Sequence, residues 1–129
     1  IQLRLPDWRD DAPLWSATLR AEPRSARAHT GLGLAALEQG AFESARRYFE
    51  RADELNPQDV TALVNLAVLD GRQNEVEEAA RKLEEAVRRQ PDKAEAWANL
   101  AIALELQGRR DEALDAAERA AALDPLRRR

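Results

Sequence analysis

Residues 96–125 read AWANLAIALELQGRRDEALDAAERAAALDP, and this stretch has two earlier counterparts in the chain. A shift of 34 residues places Leu100 on Leu66 and then on Leu32. The same shift brings four prolines into register, namely Pro23, Pro57, Pro91 and Pro125. A fixed period of this length indicates a repeat protein, in which each unit is one supersecondary element stacked on the next.

Composition limits the classes of protein to which the 129 residues can belong. The net charge of -4 comes from interspersed charges of both signs, which argues against nucleic acid as a partner because phosphate binding needs a concentrated basic surface. The one dense basic run, Arg127 to Arg129, is interpreted as a solvated tail. The chain has no cysteine, which excludes disulfides and thiolate zinc sites.

No apolar stretch approaches the roughly 20 residues of a membrane span, and no signal-peptide pattern opens the sequence. Because the chain begins at Ile1 and contains no methionine, we expect it to be a fragment of a longer protein.

Each 34-residue unit contains two stretches with apolar residues three and four positions apart, a spacing that predicts two helices per unit. The predicted helices span about 12–22, 26–39, 42–55, 60–73, 76–89, 94–107 and 110–123. Gly40 and Asn74 tolerate the left-handed conformation that closes a helix, so each marks a hairpin turn. Three polar residues precede the leading helices and are predicted N-caps, namely Ser25, Asp59 and Asp92.

A single hairpin cannot bury both of its apolar faces, so we expect successive hairpins to stack into an all-α solenoid of about seven helices. Small residues at Gly33, Ala67 and Ala101 allow the helices to approach closely. The leucines that recur one position earlier fill the space between them.

The second and third units depart from this pattern. Asp70 stands where Ala36 and Leu104 stand, and Gly71 follows it inside the predicted helix. We therefore expect this helix to fray early and the carboxylate to reach solvent. In the third unit Ala117 replaces a larger residue, and the outer face lacks a polar capping helix. Either another unit follows, or the repeat ends self-associate.

Two stretches resemble the tetratricopeptide repeat family: HTGLGLAALEQGAFESARRYFERADELNP at 29–57, and AWANLA at 96–101 with GRRDEALDAAERAAALDP at 108–125. Both follow the family pattern of a leading aromatic, a leucine, a small residue, a turn glycine, two alanines and a closing proline. The resemblance implies a right-handed superhelix of antiparallel hairpins. The implied divisions are an N-terminal segment at 1–25 with a partial repeat helix at about 11–22, repeats at 26–59, 60–93 and 94–127, and a tail at 128–129.

No group of residues predicts catalysis, a cofactor or a metal site, so we expect a protein that is not an enzyme. His29 occupies the position of Trp97 and is interpreted as a packing residue at the hairpin contact. Glu75, Glu77 and Glu78 begin a helix, where the dipole favours negative charge. The three tryptophans, Trp8, Trp15 and Trp97, are interpreted as core or end-cap aromatics.

The family resemblance implies that the first helix of each hairpin lines a concave groove that binds a peptide or a partner helix. The residues mapped to this groove are Arg27, Thr30, Leu34, Thr61, Val64, Asn65, Val68, Glu95, Ala98, Asn99 and Ile102. Two interpretations of the apolar column at 34, 68 and 102 stay open, namely packing between leading helices or the floor of the groove. The two asparagines can each donate to and accept from a peptide backbone.

Some family members clamp the C-terminal carboxylate of chaperones with lysine, asparagine and arginine. The matching positions here hold Thr30, Leu34, Asn65, Glu95 and Asn99. Only the central asparagine is retained, and Glu95 repels a carboxylate. The sequence therefore disfavours a chaperone-tail partner.

DWRDDAPLWSATLRAEPRSARAHTGLG, at residues 7–33, is similar to the segment that joins multi-pass membrane proteins of the glycosyltransferase-like kind to a C-terminal tetratricopeptide region. The resemblance rests on Trp8, Asp10, Leu14, Trp15, Pro23 and the run 28–33. It implies an extracytoplasmic part of a membrane protein that recruits a substrate or partner. Three hypotheses stay open: a protein-binding scaffold, a non-catalytic recruiting domain of such an enzyme, and a self-assembling structural module.

Overall fold

The computed structural model describes residues 12–124, which form seven α-helices and no strand. The helices are α1 (Ala12–Ala21), α2 (Ala26–Glu38), α3 (Phe42–Leu55), α4 (Thr61–Arg72), α5 (Val76–Arg89), α6 (Ala94–Leu106) and α7 (Arg110–Leu123). The all-α class is confirmed, and each predicted helix agrees with an observed one to within a residue at either end. Trp8, Asp10, Pro125 and Arg127 to Arg129 lie outside the described residues.

The helices belong to two compact units, Ile1–Pro57 and Gln58–Arg129. In the N-terminal unit α2 and α3 form a hairpin, and α1 contacts α2. In the C-terminal unit α4 and α5 form one hairpin and α6 and α7 form another. Helix α6 contacts both α4 and α5, so the second hairpin stacks on the first through its leading helix.

The hairpin turns have the predicted left-handed backbone. The φ angles are 76° at Gly40, 78° at Gly108 and 64° at Asn74. Asn74 is the one residue other than glycine in this region among residues 12–124. Asparagine tolerates this conformation better than most side chains, so the α4–α5 hairpin survives the loss of the turn glycine.

Ser25 and Asp59 are confirmed as side-chain acceptors at the helix starts. The Oγ of Ser25 accepts a hydrogen bond from the Ala28 amide at 3.1 Å. The N-cap position of α4 is Val60, but the Asp59 carboxylate still accepts hydrogen bonds from the backbone amide and the hydroxyl of Thr61 at the helix start. Asp92 is not at the N-cap position of α6, which is Lys93.

Small residues hold the helices of the first hairpin close together. A Cβ atom placed on Gly33 would lie 2.5 Å from the ring of Phe49, which is fully buried. The three matched leucines, Leu32, Leu66 and Leu100, are all buried as predicted. Helices α2 and α3 can therefore approach closely because Gly33 on α2 has no side chain and the ring of Phe49 on α3 fills the space.

The expectation for Asp70 was wrong. Helix α4 continues through this residue to Arg72, and the carboxylate is buried. Its Oδ2 lies 2.5 Å from Nζ of Lys82 on α5. Because the lysine supplies a partner of opposite charge, the carboxylate can stay inside the hairpin instead of turning to solvent.

Candidate functional site

In the N-terminal unit the predicted groove residues lie on one face of α2. Arg27 is exposed, and its guanidinium carbon is 6.0 Å from the centre of the Trp15 ring. The hydroxyl of Thr30 donates to the carbonyl of Ala26 at 3.1 Å. Leu34 is half-buried. The side chains of Arg27 and Thr30 are thus engaged with other residues of the N-terminal unit.

In the C-terminal unit three predicted residues, Val68, Asn99 and Ile102, line one open cavity of about 280 Å³. The other residues around it are Ala67, Gly71, Arg72, Val76, Ala79, Leu83, Ala103 and Leu106. The cavity lies between α4, α5 and α6, and we call it the α4–α6 cavity. Its lining is almost wholly apolar, and Arg72 is the one charged residue in it.

Ile102 lies at the mouth of this cavity with 60% of its surface exposed, whereas Val68 is half-buried. Both interpretations of the apolar column stay open, because no leading helix follows α6 among the described residues against which Ile102 could pack.

Glu95 and Ala98 lie elsewhere, in a shallower depression of about 570 Å³ on α6 and α7 that also includes Ile102. The remaining residues of this depression are Ala94, Ala101, Ala117, Ala120, Ala121 and Asp124. The predicted residues of α6 therefore fall into two groups on different sides of Ile102.

One predicted residue, Val64, is not a surface residue, because only 1% of it is exposed. Helix α4 contacts both α5 and α6, and it is apolar around most of its circumference. Val64 has the same position in the second repeat as Thr30 in the first and Ala98 in the third, but its side chain points into the core. Val64 is corrected from a groove residue to a core residue.

Thr61 is engaged in a hydrogen-bond network inside the C-terminal unit. Its hydroxyl donates to the Asp59 carboxylate at 2.7 Å and accepts from Nζ of Lys93 at 3.0 Å. The hydroxyl and the backbone amide of Thr61 both donate to the Asp59 carboxylate and lower its pKa, and the charge of Lys93 acts in the same direction. The network joins the start of α4 to the start of α6.

Asn65 and Asn99 are both half-buried. Neither side-chain amide makes a hydrogen bond to a residue in the 12–124 range. Each amide therefore has donors and an acceptor available to a ligand backbone.

The predicted groove did not include eight residues of the α4–α6 cavity, namely Ala67, Gly71, Arg72, Val76, Ala79, Leu83, Ala103 and Leu106. A signal for two of them was present, because Gly71 and Val76 stand where the first repeat has Leu37 and Phe42. Two large-to-small differences at the facing ends of one hairpin predict an unfilled space there.

The aromatic residues outside the cavity are structural. His29 is buried, with Nδ1 2.8 Å from the Ser25 carbonyl and its ring 6.4 Å from that of Tyr48, which confirms the packing interpretation. Trp97 donates from Nε1 to the Pro91 carbonyl at 2.7 Å. Trp15 packs against Gly31, where an added Cβ would overlap the indole.

Within residues 12–124 no three acidic, histidine or cysteine side chains come together as metal ligands would. Of the predicted acidic cluster, Glu75 and Glu77 are exposed and Glu78 pairs with Arg81. None of the described helices has both the length and the apolar character of a membrane span.

The model of the tetratricopeptide repeat family matches residues 2–60 and 64–127. This chain belongs to the tetratricopeptide repeat family. The family resemblance inferred from the sequence is thereby confirmed, and the fold favours a role in protein–protein interaction. No curated protein sequence matches the chain.

Solved tetratricopeptide repeat structures share the fold. Two structures of MamA match 90% of this chain at 23% identity, with TM-scores of 0.77 and 0.75 and coverage of 68% and 63% of their own chains. The second TPR of Spaghetti (RPAP3), bound to the HSP90 peptide SRMEEVD, matches 77% of this chain and 92% of its own at 20% identity, with a TM-score of 0.72. At these identities the likeness shows the fold alone.

Proposed function

We propose that the tetratricopeptide repeat chain is a protein-interaction scaffold, and that the surface around the α4–α6 cavity binds a peptide or helix of a partner. One observation carries the proposal: Val68, Asn99 and Ile102 line the same open apolar cavity. An apolar concavity with a few polar groups is the usual form of a ligand site. The peptide held by the RPAP3 repeat supports a peptide partner, although its identity does not transfer at 20% identity.

The proposed partner is not a chaperone C-terminal tail. Glu95 is exposed at the first turn of α6, and the depression that it lines also includes Asp124. Two carboxylates around one depression repel the terminal carboxylate of a tail. The α4–α6 cavity is the better candidate, since no acidic residue lines it.

The test is a pull-down with immobilised C-terminal-unit variants in the full chain. Val68→Glu combined with Asn99→Ala should abolish capture of proteins that the wild type retains. Gln58→Glu is the matched control, because it adds the same charge at an exposed residue that lines neither depression. Identical capture by wild type and the double variant would refute the assignment of this surface.

A second candidate function, self-association, is favoured by exposed apolar residues on α6 and α7. Ile102, Leu106 and Leu114 are 60%, 68% and 61% exposed. They line a further depression of about 400 Å³ together with Ala101, Ala113, Ala117 and the charged residues Glu105 and Arg110. Apolar side chains that stay exposed on a repeat are available for stacking against a second copy.

Light scattering over a concentration series tests self-association. We expect the average mass of the wild type to rise with concentration, and Leu114→Glu to remain monomeric because a charge cannot be buried in an apolar contact. A wild type that stays monomeric up to the highest concentration would exclude this function. Leu114 does not line the α4–α6 cavity, so the variant leaves the first proposal intact.

A further inference from the structure

Two residues that line the α4–α6 cavity have smaller side chains than their counterparts in the first repeat. Gly71 near the end of α4 stands where Leu37 is buried in the first repeat, and Val76 at the start of α5 stands where Phe42 is found. A Cβ atom added to Gly71 would meet no other atom within 4 Å. The cavity thus has room for a branched or aromatic side chain that the protein itself does not supply.

The walls of the cavity are suited to an apolar group. They include the apolar side chains of Val68, Val76, Leu83 and Leu106. The volume of about 280 Å³ is close to the lower limit of small-ligand sites and far exceeds that of one water molecule. Transfer of an apolar side chain into this space removes its surface, and that of the walls, from water.

The rim of the cavity adds charge and hydrogen-bonding groups. Arg72 is exposed and forms no ion pair or hydrogen bond with any residue between 12 and 124. It is the one charged lining residue, so the charge of the lining itself is positive. Asn99 offers an unpaired amide on the opposite helix. A carboxylate on the ligand is therefore attracted to Arg72, and a peptide backbone can hydrogen-bond to Asn99 on the opposite side.

We propose that the α4–α6 cavity receives a leucine- or phenylalanine-sized side chain of a partner peptide that carries an aspartate or glutamate nearby in its sequence, with the carboxylate paired to Arg72. This inference rests on the proposed function and adds the chemistry of the partner. Charge complementarity and the missing side chain at position 71 select this occupant over an uncharged or basic segment.

Selection of random peptides displayed on phage against the immobilised chain tests the prediction directly. The enriched peptides should share an apolar residue of leucine or phenylalanine size within about three positions of an acidic residue. The most enriched peptide, synthesised with a fluorescent label, should shift the methyl NMR signals of Val68, Val76 and Ile102. Enriched peptides that lack the acidic residue, or that leave these methyl signals unmoved, would overturn the inference.

Two variants restore the side chains of the first repeat and should close the cavity from within. Gly71→Leu and Val76→Phe should each weaken binding of the labelled peptide about tenfold or more, which is the effect expected from loss of one buried apolar side chain. The melting temperature of Gly71→Leu should not fall, because the new side chain enters open space, so lost binding would not reflect misfolding. Glu77→Leu is the control, since it adds a leucine at an exposed position of α5 outside the cavity.

Reversal of the rim charge tests the acidic part of the inference. Arg72→Glu should weaken the acidic peptide about tenfold and should strengthen a copy of that peptide in which lysine replaces the acidic residue. Unchanged affinity of both peptides would refute a role for Arg72.

The two proposals fail in different ways. If Val68→Glu with Asn99→Ala abolishes partner capture while Gly71→Leu and Arg72→Glu leave it unchanged, the surface binds a protein but the side-chain cavity does not determine the ligand. If all these variants capture the same partners as the wild type, the binding surface lies elsewhere and both proposals are wrong.

Discussion

The ammonium nitrogen of Lys82 lies 2.5 Å from a carboxylate oxygen of Asp70, whose side chain is only 4% exposed. The pair joins α4 to α5 at a position where the other two repeats have Ala36 and Leu104. The second hairpin alone thus has a buried charged residue at a position that is apolar in the other two. Lys82 also lies 4.0 Å from Glu78, so its charge is shared between a buried and a more exposed partner.

Removal of Lys82 alone should lower the free energy of unfolding more than removal of both Asp70 and Lys82. We expect Lys82→Met to lower the free energy of unfolding by about 1–3 kcal/mol, because it leaves a buried carboxylate without its cation. Asp70→Leu combined with Lys82→Met should recover most of that loss, since a well-packed apolar pair replaces a buried ion pair at little cost. Urea unfolding followed by circular dichroism measures both. Arg81→Met is the control, because Arg81 pairs with Glu78 in solvent. A double variant less stable than Lys82→Met would contradict the argument.

Alanine should have opposite effects at two helical glycines. Gly33→Ala should lower the free energy of unfolding by about 1–3 kcal/mol, because the new Cβ overlaps the buried ring of Phe49. Gly71→Ala should raise it by about 0.4–1 kcal/mol, since its Cβ enters open space and alanine restricts the unfolded chain. Thermal unfolding distinguishes the two. Shifts of the same sign would show that one of the two environments is misassigned.

Leu66 tests the packing of the second hairpin. It is buried, so Leu66→Ala should lower the free energy of unfolding by about 2–5 kcal/mol through lost contacts and a residual cavity. Leu114→Ala removes the same atoms from a 61% exposed position and should change stability by less than about 0.5 kcal/mol. Chemical denaturation of the two variants checks the contrast. Equal losses would place Leu66 outside the core.

Asp59 should make stability depend on pH in the acid range. Its pKa is lowered by the hydrogen bonds from Thr61 and by Lys93, so the folded state binds this proton less readily than the unfolded chain. The stabilisation is therefore complete above about pH 4 and is lost as pH falls through the lowered pKa. Compared with Asp59→Asn, the wild type should be more stable at pH 7, and the difference should close toward pH 2. Thermal melts of both proteins across this range give the comparison. Parallel curves would show that the network does not act on this carboxylate.

The sequence by itself determined the helices and their pairing. The 34-residue period fixed where each helix begins and ends, because apolar spacing and helix-terminating residues are local properties of the chain. It also identified the matched small and large positions, such as Gly33 and Leu32, and the packing role of His29. These features depend on neighbours within one hairpin, which the order of residues already specifies.

Tertiary structure decided which surface positions are open. Val64 and Val68 lie one helical turn apart on α4, yet the first is buried and the second lines a cavity, because α5 and α6 cover the helix unequally. The partner of Asp70 was likewise hidden from sequence reasoning, since it depends on Lys82 reaching back from the next helix. The cavity beside Gly71 arises only when α6 stacks on the α4–α5 hairpin. No side chain of α6 then fills the space that Gly71 leaves. Burial and cavities are properties of three helices at once, and the periodic pattern of a single helix does not contain them.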